Sequence, residues 1–377
     1  MRKCSQRKYS QRVKRNPFKF GSIVDDPYFV DRIEEIKRIS SVLNSENHLI
    51  ITGPRRFGKS SLVFKAISNL KRTVISVDLQ LITSPSDLAA QLLKRIYRVY
   101  STQKLKQFIK QFRVIPTLSV NPVTGGVDLS FQPGSPQLPV IEDVLNLIEK
   151  ISNPEKKIVV IFDEFQEAAG LDPGLMKQLR SIMQHHRNIN YIFLGSQESL
   201  IRDIFEKKKS SFYHFGMIMP LGKIPENEFM EFLIEGLKGI SKQPETIAKE
   251  IISTTTCHPY YTQQLAYVVW DKISQSYGEA EIVRDAVGDL IRMHEMDYER
   301  IWNNFNKTDK KLLIGLSSTE LSPLSEAFYR QVDIGAPSTA FSSIRRLAAN
   351  GYITRPGNKY EIDDPFFRIW LKQRRDE

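Results

Sequence analysis

The chain has 377 residues, 41% of them hydrophobic and 26% charged, with two cysteines, which is enough for two or three domains with buried cores and excludes both a disordered polymer and a disulfide scaffold. The longest apolar runs fall far short of a membrane span, and no apolar signal-type segment follows the basic N-terminus, so a cytoplasmic protein with no membrane partner is expected. The formal net charge of +11 is concentrated at one end, because Arg2, Lys3, Arg7, Lys8, Arg12, Lys14, Arg15 and Lys19 precede Phe20 with no acidic residue among them. Residues 1–19 are therefore read as a basic flexible tail, either a solvated terminus or an arm for phosphates or an acidic partner.

After the tail, SIVDDPYFVDRIEEIKRISSVL predicts a helix with Asp31 as cap and Ile33, Ile36, Ile39 and Leu43 on one face. It leads into HLIITGPRRFGKSSL at 48–62. There Gly53 and Gly58 bracket four residues and Lys59-Ser60 follow, the G-x-x-x-x-G-K-[ST] spacing of a phosphate-binding loop. Glycines lack a Cβ, so the backbone can curl and turn successive N–H groups toward a pyrophosphate. A helix starting near Gly58 then adds its positive end. Gly53, Pro54, Arg55, Arg56, Phe57, Gly58, Lys59, Ser60 and Ser61 are the candidate nucleotide residues. Lys59 is expected on the β- and γ-phosphates, with the Ser60 hydroxyl on Mg²⁺. An ordinary glycine turn is the plain alternative. The β-rich run before it and the helical spacing of Leu62, Val63, Ala66, Ile67 and Leu70 after it favour the phosphate loop.

Residues 73–79 read as a second strand and 86–112 as a helical stretch. At 114–139 the texture changes to two alternating runs around 121–126 with a proline-rich exit, which predicts an inserted hairpin, either decoration or an arm for a partner protein. IVVIFDE at 158–164 is a continuous apolar run ending in two carboxylates, the pattern of a buried parallel strand with acids at its ligand-facing end. Asp163 is expected to hold Mg²⁺ with Ser60, and Glu164 to orient and polarise water. About a hundred residues and a strand separate Lys59 from Asp163, and a glutamate directly after the metal aspartate marks the P-loop NTPases that hydrolyse with their own carboxylate. Another apolar strand ends in Gly195-Ser196-Gln197, and a short strand at 216–220 completes the sheet.

From 225 to about 277 the pattern is helical, followed by a longer helix at 281–305. Two short helices, a third capped by Ser338 and ended at Asn350-Gly351, and two strands then give winged-helix order. Phe341, Ile344 and Leu347 are expected in its core, with Arg345 and Arg346 outward and Arg355 and Lys359 on the wing, where DNA phosphates would be met. The histidines and cysteines are too scattered for a zinc site.

In chain order FVDRIEEIKRI, GPRRFGKSSL, VVIFDEFQE, FLGSQESL, HPYYTQQLA and DPFFRIWL resemble the archaeal-type ATPases, a STAND-related branch of the AAA+ P-loop NTPases. The resemblance covers nearly everything from Phe18 to Arg374. It implies an α/β fold with a parallel sheet of order 5-1-4-3-2, a core over 20–220 with the hairpin near 114–139, a helical lid over 221–300 and a winged-helix domain over 301–377. It further implies that Ser196 and Gln197 sense the γ-phosphate, where the plain reading is a turn requiring Gly195. By the same resemblance Phe29, Val30 and Arg32 line the adenine pocket. His258-Pro259 would pack on the nucleotide from the lid, where the plain reading of His258 is a helix cap. Cys257 departs from the glycine common before His-Pro, and Tyr213-His214-Phe215 stands where relatives often carry an arginine. Arg180, Arg187 and Arg202 are the alternatives for that role in trans. The implied function is a Mg²⁺-dependent ATPase that binds ATP and ADP and works as a conformational switch, alone, as a homo-oligomer or with a protein partner. The alternative is a DNA-binding winged-helix regulator with nucleotide as a structural ligand.

Overall fold

The structure, a computed structural model, describes residues 15–30, 32–100, 102–120, 127–131, 137–357 and 359–376. It divides into two compact units, one of Met1–Val30 with Ile224–Glu299 and the other of Asp31–Lys223 with Arg300–Glu377. No helix among the described residues is long and apolar enough to cross a membrane.

The larger unit is built on strands β1 (Leu49–Thr52), β2 (Val74–Asp78), β5 (Ile158–Asp163), β6 (Ile189–Gly195) and β7 (Met217–Pro220), with the inserted hairpin β3 (Thr117–Val120) and β4 (Val127–Ser130) between β2 and β5. The sheet order is β2-β5-β6-β1-β7 and each neighbouring pair is parallel. Counting only the five sheet strands along the chain, this is the expected 5-1-4-3-2 arrangement. Parallel strands covered on both faces have no polar side, which is why β5 is apolar up to its last residue and β6 is buried along its whole length. Helices Pro85–Val99, Gln137–Ile151 and Leu175–Met183 supply the cover, with Leu92, Val144 and Leu179 in one core with Ile50, Val160 and Phe193. An aromatic group of Phe162, Phe165, Phe193, Phe205 and Phe212 packs together within that core. The segment Tyr213-His214-Phe215 belongs with it, because the Phe215 ring contacts Phe212 and Phe193.

The hairpin pairs Val120 with Val127, and its tip at 121–126 lies outside the described residues. Its base is fastened by Arg113, whose guanidinium reaches Asp143, Glu142 and the Pro139 carbonyl.

The winged-helix part of this unit comprises Lys307–Ser318, Glu326–Val332, Pro337–Ala349, the antiparallel strands β8 (Ile353–Thr354) and β9 (Glu361–Ile362), and Pro365–Asp376. Asn306 and Ser325 cap the first two helices. Two expectations are corrected here. The third helix starts two residues earlier than a Ser338 cap requires, with Ala336 at the N-cap and Pro337 in the first turn, where proline's missing N–H costs nothing. Phe341 is 56% exposed, while Ile344 and Leu347 are buried as expected. Arg345 and Arg346 are both exposed as expected, and Arg346 Nε and Nη2 also bind the buried Asp309 carboxylate at 3.0 and 2.6 Å, as does the Ser343 hydroxyl. On the wing, Arg355 lies over the Tyr360 ring and Lys359 pairs with Glu320.

The smaller unit holds helices Glu226–Leu237, Pro244–Thr255 and Pro259–Ser274 and most of Ile282–Asn304. It also holds the chain before Val30, which alters the expected division. Phe18 is buried and meets Phe232 edge to face, entering where Gly236 has no side chain: a Cβ there would lie 2.5 Å from its ring. Burying one phenylalanine contributes about 2 kcal/mol. Gln263 then fastens two points of the segment, accepting from the Lys19 N–H at 3.1 Å and donating to the Tyr28 carbonyl at 2.9 Å. Residues 16–19 of the expected tail are thus packed, and 20–30 belong with the helices rather than the sheet; residues 1–14 lie outside the described residues. Asp31, the expected helix cap, also lies outside them, and Arg32 occupies the cap position without a side-chain cap bond.

Candidate functional site

Strand β1 delivers its C-terminal end to the glycine loop, and the two glycines serve different purposes there. Gly53 is needed for close approach, since a Cβ would sit 2.6 Å from the Leu221 carbonyl oxygen after β7. Gly58 is needed for conformation, with φ of 83° at the cap of helix Lys59–Ser68. Arg56 also adopts a left-handed backbone, with φ of 64°, and the buried Phe57 side chain anchors the turn between them. No side chain caps the helix and no acidic residue lies in its first turn, an arrangement suited to an anion.

Lys59 is buried, with Nζ donating to the carbonyls of Gly53 and Pro54 at 2.7 and 2.8 Å. Burial pushes its ammonium below the usual lysine range, against the opposing pull of Glu164 and Asp163. Ser60 follows on the same turn, and its hydroxyl donates to Asp163 Oδ2 at 2.9 Å across 103 positions of sequence. Asp163 ends β5 and its other oxygen accepts the Glu164 N–H at 3.0 Å. Burial raises the Asp163 carboxyl above its ordinary value, partly offset by the Ser60 hydrogen bond.

Glu164 has the opposite balance. Burial pushes its carboxyl up, but hydrogen bonds from Gln166 and Ser196 and the Lys59 charge outweigh that and hold it below the usual range. Oε2 accepts from Gln166 Nε2 at 2.6 Å, from Ser196 Oγ at 2.7 Å and from the Ser196 N–H at 3.1 Å. Ser196 is available because β6 lies beside β5 and ends at Gly195. Lys59, Ser60, Asp163, Glu164 and Ser196 are therefore gathered at one end of the sheet. Gln197, adjacent in sequence, caps the helix Glu198–Phe205 through its backbone and makes no side-chain hydrogen bond to this group among the described residues.

The remaining candidates divide between the two units. Phe29 and Val30 belong to the smaller unit, as do His258 and Pro259. His258 is buried at the cap of Pro259–Ser274, and its Nδ1 accepts the Tyr260 N–H at 3.2 Å. Cys257 before it has φ of 59°, so the chain keeps the left-handed turn that glycine would take most readily. Arg32 sits in the larger unit, and its guanidinium reaches the phosphate loop itself: Nη2 lies 3.4 Å from the Phe57 carbonyl and 2.9 Å from that of Gly222, with Nη1 on Glu35 at 3.1 Å. Lys223, the next residue, pairs with Glu361 on β9 at 2.5 Å. Arg180 lies 4.5 Å above the Phe215 ring and hydrogen-bonds Gln184.

Sequence reasoning passed over Gln166 and the loop-bracing role of Arg32. A glutamine inside the apolar stretch after Asp163-Glu164 was the available signal for the first. The second has none, since it depends on where Gly222 lies in space.

Residues 29–265 match the family described as an ATPase domain predominantly from Archaea, and residues 296–373 match a probable winged helix domain. No protein among the curated ones matches the sequence. Among solved structures, the Walker-type ATPase of Pyrococcus abyssi is similar over 94% of this chain and 99% of its own, with TM-score 0.67 and 17% identity. The ORC2 protein of Aeropyrum pernix, solved as ADPNP and ADP complexes, is similar over 95% of this chain and 99% of its own, with TM-score 0.55 and 13% identity. Both likenesses are of fold. With the ATPase model covering well over half of the sequence and the AAA+-type sheet carrying the phosphate loop, the chain belongs to the family of ATPase domains found predominantly in Archaea.

Proposed function

We propose that the chain binds ATP with Mg²⁺, hydrolyses it, and uses the cycle as a conformational switch. The observation that carries this reading is the Ser60–Asp163 contact of 2.9 Å beside the clamped carboxylate of Glu164. Loop and strand end, distant in sequence, meet with the donor set that the reaction requires. That set fits a hard cation, because a serine hydroxyl and a buried carboxylate offer oxygen only, as Mg²⁺ prefers. When bound, Mg²⁺ neutralises charge on the β- and γ-phosphates.

The protein's own part follows from its groups. The uncapped helix and loop N–H groups receive the phosphates, and the Lys59 ammonium exchanges two backbone carbonyls for phosphate oxygens, a stronger charge-assisted pairing. Ser196 and Gln197, just after β6, are proposed to sense the γ-phosphate. Glu164 orients a water whose oxygen bonds to the γ-phosphorus as the bond to the bridging oxygen breaks. ADP leaves with that electron pair, and the water's proton passes through the carboxylate to the phosphate released. Phe29, Val30, His258 and Pro259 are proposed for the base end of the nucleotide.

Support for the switch is the run of contacts within the larger unit. Arg32 touches both the phosphate loop and Gly222, and the next residue, Lys223, holds the wing strand. A DNA-binding regulator is the second reading. It is weaker because Arg346, Arg355 and Lys359, although exposed, each have a partner within the winged helix.

Substitution Lys59→Ala should weaken ATP binding about 100-fold or more, measured by titration with a fluorescent analogue. Glu164→Gln should keep affinity and lose turnover by roughly 100-fold, and chelating Mg²⁺ should stop turnover of the unaltered chain. Unchanged affinity in the first variant or normal turnover in the second would refute the assignment.

A further inference from the structure

Glu164 occupies a left-handed backbone position, φ 50° and ψ 49°, at the head of the short turn Phe165–Glu167. Such a position is costly for a residue other than glycine, about 1–3 kcal/mol. The turn returns Gln166 toward its neighbour but one, so that Nε2 lies 2.6 Å from Glu164 Oε2. The opposite amide orientation would set two oxygens against each other at that distance, so the chemistry fixes which way the amide faces.

Gln166 is 5% exposed, and its Oε1 is buried without a hydrogen-bond partner among the described residues. The amide lies against Gly195, where a Cβ would come 2.8 Å from Oε1. A buried carbonyl oxygen left unpaired is destabilising, because its water has been removed and nothing replaces it. An aliphatic side chain would avoid that cost while filling the same space beside Phe165 and Gly195, so packing alone does not account for an amide. The three donors all converge on one oxygen of Glu164, and Oε1 accepts none among the described residues. A carboxylate held in this way is fixed in plane and rotation, with its second oxygen free to accept.

We infer that Gln166 is a positioning residue for hydrolysis: with Ser196 it locks Glu164 Oε2, so that Oε1 alone is presented to the attacking water. This rests on Glu164 being the water-activating carboxylate. Losing the amide's hydrogen bond frees the carboxylate to rotate, which weakens the aim of the base.

The test is single-turnover ATP hydrolysis by the full chain at neutral pH, with nucleotide affinity measured in parallel. Gln166→Leu should keep affinity within about two-fold and lower the rate about ten-fold, a difference of about 1.4 kcal/mol. Combined with Glu164→Gln it should add no further loss, because it acts only through that carboxylate. If Gln166→Leu does not bind nucleotide, Gln166→Met serves in its place, and Ser196→Ala, which removes another donor to the same oxygen, must lower the rate and likewise add nothing to Glu164→Gln. A rate unchanged in Gln166→Leu, or a further loss in the double variant, would overturn the inference. Normal turnover in Glu164→Gln alone would instead overturn the role of Glu164 on which it depends.

Discussion

The phosphate loop and the third helix of the winged-helix part lie in the same unit, yet sequence specifies them differently. At the loop, the anion to be held dictates a local backbone path, and spacing alone announces it: Gly58 must turn left-handed and Lys59 and Ser60 must follow. On helix Pro337–Ala349, the spacing admits several faces, and a buried acid on another helix decides among them. Asp309 binds Ser343 and the partly exposed Arg346, and Phe341 is left in solvent. A motif encodes chemistry; a helical stripe encodes only the need for a neighbour.

The largest effect expected from this contrast lies at the far end of the strand that feeds the loop. His48, just before β1, is buried against Tyr191 and Phe215, with Nδ1 accepting the Tyr191 N–H at 3.3 Å. Burial, then the positive charges of Arg180, His186 and Lys157, push its pKa from 6.5 down to about 4. The folded chain therefore binds fewer protons than the unfolded chain between those values. The stability contributed is fully present above pH 6.5 and is lost as pH falls to about 4, some 3 kcal/mol for this group. Urea unfolding at pH 7 and pH 4.5 should show that loss, and His48→Gln should flatten it. An equal loss in the variant would place the acid sensitivity elsewhere, His186 being the next candidate since its pKa is also lowered by burial.

Asp309→Ala should come next, destabilising the winged-helix part by about 2 kcal/mol in chemical unfolding, because it leaves Ser343 and Arg346 without their acceptor. Arg346→Ala should cost less, about 1 kcal/mol or below, since that side chain is 46% exposed and its pairing is screened. If the arginine variant were the more damaging, the acid would not be the organiser of this helix. The smallest effect is expected at Phe341, where substitution to alanine should stay within about 0.5 kcal/mol. A core phenylalanine would cost about 3–5 kcal/mol, so thermal unfolding of this variant separates the two placements directly.

Much of the fold was legible because apolar runs and turn residues repeat at element length. The five sheet strands, the inserted hairpin and the winged-helix order were all readable from period and punctuation, and β5 and β6 are apolar for the physical reason that both sheet faces are covered. The gathering of Lys59, Ser60, Asp163, Glu164 and Ser196 at one sheet end follows from strand order. Less was legible where the deciding partner is remote. Arg32 reads as one of three neighbours in FVDR, but the backbone of Phe57 and Gly222 takes its guanidinium. Gln166 was passed over, because only the left-handed backbone at Glu164 turns its amide back onto the carboxylate. Residues 16–30 carried no signal that helices more than two hundred positions away would take them from the sheet unit.

That last feature has a bearing on biosynthesis. Asn16 donates to the carbonyl of Tyr267 across 251 positions, and Lys19 and Tyr28 meet Gln263 across 244 and 235. A ribosome adds about 5–20 residues per second, so this segment leaves the exit tunnel tens of seconds before its partners are made. Meanwhile the apolar Phe18 and Phe20 have no surface of their own unit to cover, while the sheet of the larger unit can already assemble. The first described stretch to be translated is thus among the last to be fastened, and the smaller unit closes only when both ends of that interval have been translated.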